Sequence, residues 1–357
     1  MKKQAGKSNF MKKTTSILII YTGGTIGMIN DPETGRLKPF NFEQILIQVP
    51  SLKSFGFKLD TISFEKPIDS SEIHPDIWIK LAGMIKEKED MYDGFVILHG
   101  TDTMSYSASA LSFMLENLYK PVIFTGSQLP IETIRTDGKE NLITAIEIAA
   151  AQKDGKPIVP EVCIYFENKL YRGNRTRKYN AEYFDAFESP NYPPLAEAGI
   201  HIVYNYEAIH YPKQNKITKI HTKLDTNIGI LKIFPGINEN LVSAIVNAEK
   251  LRAIVLESFG AGNAPTANWF INLLKTAIDK GILILNITQC NAGRVEMSRY
   301  QTSQKLDEIG VIGGNDMTTE AAITKLMFLL GQDLKNSEIK KYLQTSIAGE
   351  ISLKLDS

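Results

Sequence analysis

Two loop sequences in the first half of the chain bring hydroxyl and carboxylate groups together. Residues 21–28 (YTGGTIGM) contain paired glycines, which allow a sharp turn that would expose the Thr25 hydroxyl and several backbone N–H groups. Residues 99–104 (HGTDTM) place Thr101 next to Asp102. A helix cap would use only one of these side chains. The pair is better suited to holding an ammonium group beside a reacting hydroxyl.

Taken alone, each of these sequences also has plainer interpretations. The glycine loop could be a tight turn, a phosphate cradle or a presented nucleophile, and the cradle is disfavoured because neither GxGxxG nor GxxxxGKS/T occurs there. A third loop, residues 67–72, carries Asp69, Ser70 and Ser71, and a serine-rich turn of this kind is more typical of a helix cap than of a ligand site. Lys178, in the basic segment RGNRTRK, has the simplest interpretation of a solvated surface cation.

The motifs of the common serine and metal hydrolases do not occur in the sequence. There is no GxSxG elbow and no HExxH, and the five histidines show no ligand spacing. The two cysteines, Cys163 and Cys290, form neither a CxxC clip nor a disulfide framework. We therefore expect no metal and no cofactor, and a reducing compartment.

Length and charge limit the classes of function further. The chain has 357 residues, enough for two domains at roughly 150 residues each. Lys plus Arg total 40 and Asp plus Glu total 40, so no excess positive charge is available for nucleic acid or an anionic membrane. The apolar run 17–21 is shorter than the ~7–15 residues of a secretory signal core, and no run reaches the ~18 residues of a membrane span. A cytoplasmic protein that binds neither nucleic acid nor membrane is expected.

The elements that must position the loops alternate between short Val- and Ile-rich runs and longer amphipathic segments, a pattern typical of parallel sheets with crossover helices. In such sheets ligands bind at the carboxyl ends of the strands, where all three loops lie. The predicted strands are 16–21, 61–64, 94–99, 121–125, 162–166, 229–233, 252–256 and 282–288. The predicted helices are 76–88, 105–117, 138–152, 239–249, 267–279, 319–330 and 337–343.

This alternation is interrupted once, by a polar and basic stretch without a helical period. We therefore predict an N-terminal domain over residues 14–205 that carries the three loops, a connection over 206–228, and a C-terminal domain over 229–357.

Three motifs in a fixed order carry a resemblance to a known family. TGGTIG, HGTDTM and RGNR-x-x-K resemble the L-asparaginases of the bacterial cytosolic type I, and the similarity runs from Ile17 through GVIGGNDMT to the last helix. The resemblance implies two three-layer α/β/α domains with mostly parallel sheets, the N-terminal one larger. It also implies hydrolysis of L-asparagine to L-aspartate and ammonia by a homodimer or homotetramer.

The resemblance also assigns roles by position. Thr25 would be the nucleophile that forms a β-aspartyl ester, with Thr101, Asp102 and Lys178 as a second catalytic group. Such a threonine needs a base, and a lysine can be that base only as a neutral amine. The remaining implied roles concern the substrate: its α-carboxylate end is held by Asp69, Ser70 and Ser71, and its α-ammonium by Asp102.

One position departs from the pattern of the family. Many relatives have a tyrosine shortly after the nucleophile, where this sequence has Arg36. Tyr300 resembles a tyrosine that some type I members supply from the C-terminal domain, and a half-buried structural tyrosine is an equally good interpretation. Asn263 is a weaker candidate for completing the site from a neighbouring subunit. Some type I enzymes also bind asparagine at a regulatory site, and the charged residues Arg177 and Glu257 indicate either an altered site or none.

Other functions remain open. Glutamine differs from asparagine by one methylene, which an apolar pocket discriminates by only ~1–3 kcal/mol, so a dual asparaginase and glutaminase is the nearest alternative. A transfer-RNA-dependent amidotransferase subunit would need an added N-terminal module and a nucleic-acid surface. A non-catalytic amino-acid-binding sensor could use the same glycine loop, but would leave the combination of Thr25, Thr101 and Lys178 unexplained.

Overall fold

Two sheets organise the molecule, an eight-stranded one in the N-terminal part and a four-stranded one in the C-terminal part. The elements come from a computed structural model that describes residues 14–30, 34, 37–39, 49–212, 217–297 and 301–352. Within these ranges the strands are β1 (Ser16–Tyr21), β2 (Met28–Asn30), β3 (Leu37–Pro39), β4 (Lys58–Ser63), β5 (Gly94–Leu98), β6 (Leu115–Glu116), β7 (Val122–Thr125), β8 (Gln152–Lys153), β9 (Lys156–Pro157), β10 (Val162–Phe166), β11 (Lys169–Arg172), β12 (Arg177–Lys178), β13 (Phe187–Glu188), β14 (Ala196–Ala198), β15 (Ile202–Tyr204), β16 (Lys219–Ile220), β17 (Ile228–Lys232), β18 (Ala253–Ser258), β19 (Leu283–Thr288) and β20 (Ile312–Gly313). The α-helices there are α1 (Pro75–Lys88), α2 (Met104–Met114), α3 (Gly138–Ala150), α4 (Glu239–Val246), α5 (Asn268–Asp279), α6 (Gln301–Glu308), α7 (Thr319–Gly331) and α8 (Asn336–Leu343). None of these helices is long and apolar enough to cross a membrane.

The large sheet has the strand order β15-β14-β11-β10-β7-β5-β1-β4. Its five strands from β10 to β4 are parallel, and the other three continue the sheet in antiparallel pairs. Tyr21 at the end of β1 lies opposite Ser63 of β4 and Leu98 of β5, and Leu98 lies opposite Thr125 of β7. Four strands therefore end level with one another, so the loops that follow them start at one edge of the sheet.

Burial on both faces explains why the central strands are nearly continuous apolar runs. In β1, Ile17 and Ile19 pack on the face covered by α3. Leu18 and Ile20 pack on the opposite face, which α1 and α2 cover. Alternate residues of one strand thus belong to two separate cores, and the domain has three layers.

The second domain repeats this arrangement on a smaller scale. Its parallel sheet has the order β17-β18-β19-β20. In β18, Val255 packs with α7 and α8, whereas Leu256 packs with α4 and α5 on the other face. The predicted fold class, two three-layer α/β/α domains with mostly parallel sheets and a larger N-terminal domain, is confirmed.

Helices α2 and α7 join the two domains. The rings of Phe113 and Phe328 stack with 6.1 Å between centroids, and Phe113 is buried in the core of the C-terminal domain. The segment before β12 makes a second contact, because the Asn174 amide donates to the carbonyl oxygen of Ala348 at 2.9 Å.

All the predicted strands and helices correspond to observed elements, with shifted ends. The sequence does not predict β11, β14 and β15, which are only three or four residues long. It does not predict α6 either, whose sequence QTSQKLDE is mostly polar. Inside the predicted connection, β16 pairs with β6 of the N-terminal domain.

Candidate active site

The candidate site is formed by the loops that follow β1, β4 and β5. Their backbones are tied together, since the N–H and the hydroxyl of Thr22 both donate to the carbonyl oxygen of Leu98 at 3.0 Å. The N–H of Ile68, in the loop after β4, donates to the carbonyl oxygen of Thr22 at 2.8 Å. Sequence reasoning predicted these three loops as neighbours, and the structure places them in direct contact.

Glycines allow the three loops to approach this closely. Gly24 has a φ of +90°, and a Cβ atom at this position would lie 2.5 Å from the backbone nitrogen of Gly100. A Cβ atom on Gly100 would in turn lie 2.6 Å from the hydroxyl oxygen of Ser70. Gly24 therefore meets Gly100 backbone against backbone, and Gly100 packs directly on the Ser70 side chain, at distances that a side chain on either glycine would prevent.

Thr25 is the first residue of a single turn of 3₁₀ helix, Thr25–Gly27, and its side chain is half-buried. The Tyr21 hydroxyl lies 3.1 Å from the carbonyl oxygen of Gly27 and 3.4 Å from that of Gly24, so it bonds the turn on both sides of Thr25. Burial raises the pKa of Tyr21 to about 12, which keeps the phenol a donor. The Tyr21 hydroxyl thus holds in place the turn that carries the Thr25 hydroxyl.

Lys178 lies within hydrogen-bond distance of both polar residues of the second loop. Its Nζ is 2.8 Å from Thr101 Oγ1 and 2.7 Å from Asp102 Oδ1. The Lys178 side chain is only 17% exposed, so the interpretation as a solvated surface cation is wrong. The Asp102 side chain is 67% exposed and remains accessible to a ligand. The structure thus unites an amine, a hydroxyl and a carboxylate whose residues are far apart in sequence.

In the third loop the structure confirms the cap interpretation for Asp69, while a role of the loop in binding a ligand stays a prediction. Asp69 caps a short 3₁₀ turn, accepting from the N–H and the hydroxyl of Ser71 at 2.9 and 2.8 Å. These two hydrogen bonds hold the pKa of Asp69 below its ordinary value, and the bond from the Ser71 backbone N–H has the larger effect. Ser70 is buried against Gly100, and its carbonyl oxygen accepts from the Thr103 hydroxyl at 2.7 Å.

Sequence reasoning missed one polar residue of this edge, Gln128. Its Oε1 accepts from the Thr101 hydroxyl at 3.3 Å, and its backbone N–H donates to Asp137 Oδ2 at 2.9 Å. Its side-chain amide donates to the carbonyl oxygen of Tyr183 at 3.1 Å. Gln128 follows β7, whose carboxyl end lies at the same edge as the three loops, so the rule that predicted those loops also indicated this residue.

Buried ion pairs hold the segment that leads to Lys178. Arg172 Nε lies 2.6 Å from Glu161 Oε2, and Arg175 Nη2 lies 3.0 Å from Asp316 Oδ2, with all four side chains at least nine-tenths buried. Both guanidinium groups also lie over the ring of Tyr192, at 4.4 and 5.1 Å from its centroid. Burial, the largest single influence, raises the pKa of Asp316, but the hydrogen bond and charge of Arg175 together with two hydrogen bonds from Ser352 outweigh it and hold that pKa below its ordinary value.

Among the other predicted candidates, Asn263 and Glu257 bond residues of the C-terminal domain instead. Tyr300 and Arg36 lie outside the described residues. The Asn263 side chain accepts from the Thr302 hydroxyl at 2.6 Å, within the C-terminal domain. Glu257 accepts from the Thr319 hydroxyl at 2.7 Å and lies 3.3 Å from Lys232 Nζ.

The arrangement suits acyl transfer. It combines two hydroxyls, an amine that touches one of them, an accessible carboxylate and the backbone N–H groups of a glycine turn. Within the described ranges no group of three or more His, Cys, Asp or Glu side chains could hold a metal ion. Cys163 is buried, Cys290 is exposed, and both are free thiols.

Comparison with known proteins gives consistent matches over both domains. A model of the asparaginase N-terminal domain matches residues 16–210, and a model of the glutaminase/asparaginase C-terminal domain matches residues 227–343. L-asparaginase 1 of Escherichia coli K12 is 44% identical over 338 residues, which cover 94% of this chain and 98% of that protein.

Solved structures agree with these matches. L-asparaginase I from Vibrio cholerae O1 biovar eltor superposes with a TM-score of 0.85 at 40% identity, covering 95% of this chain and 100% of that one. The thermostable L-asparaginase from Thermococcus kodakarensis superposes with a TM-score of 0.86 at 33% identity, covering 95% and 99% of the two chains.

Proposed function

The chain belongs to the asparaginase family, and we propose that it hydrolyses L-asparagine to L-aspartate and ammonia through an acyl-enzyme on Thr25. Its class is amidohydrolase, of the L-asparaginase type. The observation that carries the proposal is the contact of Lys178 Nζ with both Thr101 and Asp102, on a loop packed against the turn of Thr25.

Recognition of the substrate begins with its two charged groups. The exposed carboxylate of Asp102 pairs with the α-ammonium, an opposite charge within reach. Ser70 is the donor for the α-carboxylate. Asp69 carries a like charge and therefore does not attract that carboxylate; it acts by holding Ser71 and the turn in place. Together these residues orient the side-chain amide toward Thr25.

Acylation starts with attack of Thr25 Oγ1 on the amide carbon. The hydroxyl proton passes to Lys178 as a neutral amine, with Thr101 Oγ1 as the relay, because Thr101 already touches Lys178. Backbone N–H groups of the two loops stabilise the tetrahedral oxyanion, at ~3–4 kcal/mol for a well-placed donor. The same proton then goes to the amide nitrogen, the C–N bond breaks, ammonia leaves, and a β-aspartyl ester remains on Thr25.

Deacylation reverses these roles with water as the nucleophile. Water attacks the ester carbon and gives its proton to the base, and the tetrahedral intermediate collapses by breaking the bond to Thr25 Oγ1. The proton returns to the threonine, which regenerates the hydroxyl. An α-ammonium on Asp102 competes with Lys178 for one carboxylate, and this competition weakens the hold of Asp102 on the amine.

We propose further that the enzyme is a cytoplasmic homodimer or homotetramer that acts on a small molecule. The two free thiols support a reducing compartment. Tyr300 remains the candidate for a residue that orients Thr25 where the sequence has Arg36. The domain boundaries at residues 205 and 229 also remain predictions.

Ammonia release from asparagine and from glutamine, measured over a concentration series, tests the proposal. We expect asparagine turnover in wild type, residual turnover in Thr25→Ser, which keeps a hydroxyl, and none above background in Thr25→Ala. Equal background rates for wild type and Thr25→Ala would contradict the proposal, and asparagine binding without turnover would favour the sensor. Comparable rates on glutamine would identify the dual enzyme.

A further inference from the structure

His99 is a buried histidine next to the proposed site that the mechanism above does not use. It directly follows β5, is 1% exposed, and its ring meets Phe124 edge to face with 5.8 Å between centroids. Its Nδ1 lies 2.7 Å from the carbonyl oxygen of Gly100, and its Nε2 lies 2.9 Å from the hydroxyl oxygen of Ser107. Both ring nitrogens are therefore hydrogen-bonded.

The partners determine which ring nitrogen carries the hydrogen. Trp78 Nε1 lies 2.9 Å from Ser107 Oγ, and since an indole nitrogen can only donate, the serine oxygen accepts there. The serine O–H can then donate to His99 Nε2. A carbonyl oxygen can only accept, so His99 Nδ1 carries the hydrogen and donates to Gly100. Burial lowers the pKa of His99 to about 4, which keeps the ring neutral near neutral pH.

The carbonyl group that His99 holds belongs to the peptide between Gly100 and Thr101. This peptide is planar and trans, so its N–H points opposite to its C=O. A bond that directs the Gly100 oxygen toward the His99 ring therefore directs the Thr101 N–H to the opposite side. Within the described part of the chain, the Thr101 N–H has no hydrogen-bond acceptor.

This peptide lies between the turn of the nucleophile and the proposed base. A Cβ atom on Gly24 would touch the Gly100 nitrogen at 2.5 Å, and Thr101 Oγ1 is 2.8 Å from Lys178 Nζ. In a tetrahedral intermediate on Thr25, negative charge would develop on the carbonyl oxygen of the substrate. An unpaired backbone N–H at this junction is a suitable donor to that oxyanion.

We propose that His99 is a positioning residue: it holds the Gly100 carbonyl so that the Thr101 N–H is presented to the oxyanion. Ser107 and Trp78 keep the ring in the tautomer that this requires. The inference rests on the proposed function, because it assigns a role in the same acyl transfer.

Steady-state kinetics of two His99 variants test this role. In His99→Leu, which removes the donor, we expect kcat for asparagine to fall about 10- to 100-fold with KM within about twofold, since the lost interaction is made in the transition state. In His99→Asn, the amide nitrogen occupies the place of Nδ1 and can still donate to Gly100, so most of kcat should return. Thr125→Val is the control: it removes a buried hydroxyl bonded at 2.8 Å to the Tyr165 carbonyl at the next strand end, and should leave kcat unchanged.

Two outcomes would overturn the role of His99. One is a kcat for His99→Leu equal to that of wild type. The other is an equal loss in the Leu and Asn variants accompanied by a raised KM, as expected if His99 only supports the fold. A wild-type protein without Thr25-dependent ammonia release would instead contradict the proposed function.

The tautomer can be measured without turnover, by nitrogen-15 NMR of histidine-labelled protein. In wild type we expect His99 Nδ1 to be protonated and Nε2 to be unprotonated. Ser107→Ala removes the hydrogen bond to Nε2 and should shift the Nε2 resonance, whereas Ser112→Ala, which removes a hydroxyl bonded to the Ala108 carbonyl on the same helix, should not. A protonated Nε2 in wild type would contradict the inference.

Discussion

Different forces hold the two sides of the proposed site. On the nucleophile side, the loops of Thr25 and Thr101 touch through the backbones of Gly24 and Gly100, inside the N-terminal domain. On the base side, Lys178 lies three residues after Arg175, whose guanidinium pairs with Asp316 and donates to the carbonyl oxygen of Glu350 at 2.6 Å. The first side depends on shape, and the second depends on buried charge supplied by the C-terminal part of the chain.

This difference shows how the C-terminal part of the chain contributes to the proposed site, although Thr25, Thr101 and Lys178 all belong to the N-terminal part. Backbone packing fixes a distance and tolerates no added atom, but it has little dependence on pH or salt. A buried ion pair tolerates a small displacement, but losing one partner leaves an uncompensated charge. The two sides should therefore fail under different substitutions, and in different observables.

The largest effect is expected on the base side, from Arg175→Met. It leaves the Asp316 carboxylate buried without its partner, so the free energy of unfolding in urea should fall by roughly 3–5 kcal/mol. The matched control is Asp333→Asn, which breaks the exposed pair with Lys223 and should cost no more than about 1 kcal/mol. Similar losses in the two variants would remove the distinction between the sides.

On the nucleophile side, Gly24→Ala should lower kcat/KM about 100-fold. The added methyl group would clash with the Gly100 backbone and push the turn of Thr25 away, which misplaces the Thr25 hydroxyl relative to the substrate. Gly236→Ala is the control, since Gly236 has a similar φ of +96° but nothing within 4 Å of an added Cβ. If steady-state assays find equal activity in both variants, the contact between the loops of Thr25 and Thr101 does not determine the position of the Thr25 hydroxyl.

A smaller effect is expected from Tyr21→Phe, which removes the hydroxyl that bonds the turn of Thr25. Stability should fall by about 1 kcal/mol, the net worth of one hydrogen bond, and kcat should fall severalfold with little change in KM. Tyr165→Phe removes another buried phenol, one that bonds the Thr144 side chain, and should lower stability without changing kcat. Equal kcat values for the two variants would show that Tyr21 only supports the core.

The smallest effect concerns pH. The pKa of Asp316 is lowered in the folded state, so its ionised form contributes stability above the ordinary value of 3.8, and this contribution disappears as pH falls through the lower folded value. The difference in unfolding free energy between wild type and Asp316→Asn should therefore be constant near neutral pH and shrink below pH 3.8. A constant difference down to the acid limit would contradict the assignment.

The sequence predicted those parts of the molecule in which a residue pattern is compatible with a single kind of structure. The apolar runs predicted the central strands, since strands buried on both faces cannot be polar, and the loops after them predicted the edge of the site. Motif resemblance assigned Thr25, Thr101 and Lys178 to one reaction, roles that the experiments above test.

What the sequence could not predict depends on contacts between distant segments. Lys178 looks like a surface cation until the pairing of Arg175 with Asp316 places it against Thr101. His99 looks like an ordinary core histidine until its contacts with the Gly100 carbonyl and Ser107 indicate which ring nitrogen carries the hydrogen. The antiparallel strands β11, β14 and β15 were missed because a strand of three or four residues is too short for its residue pattern to distinguish it from a loop.

The central claim is that Thr25 becomes covalently acylated in every turnover. Rapid acid quenching of wild type with asparagine, followed by peptide mass spectrometry, tests it directly, with parallel reactions containing hydroxylamine to capture the acyl group. We expect one aspartyl group on Thr25 and formation of aspartyl hydroxamate. An aspartyl group on Thr101 or another residue, or an active enzyme that forms neither adduct nor hydroxamate, would contradict it.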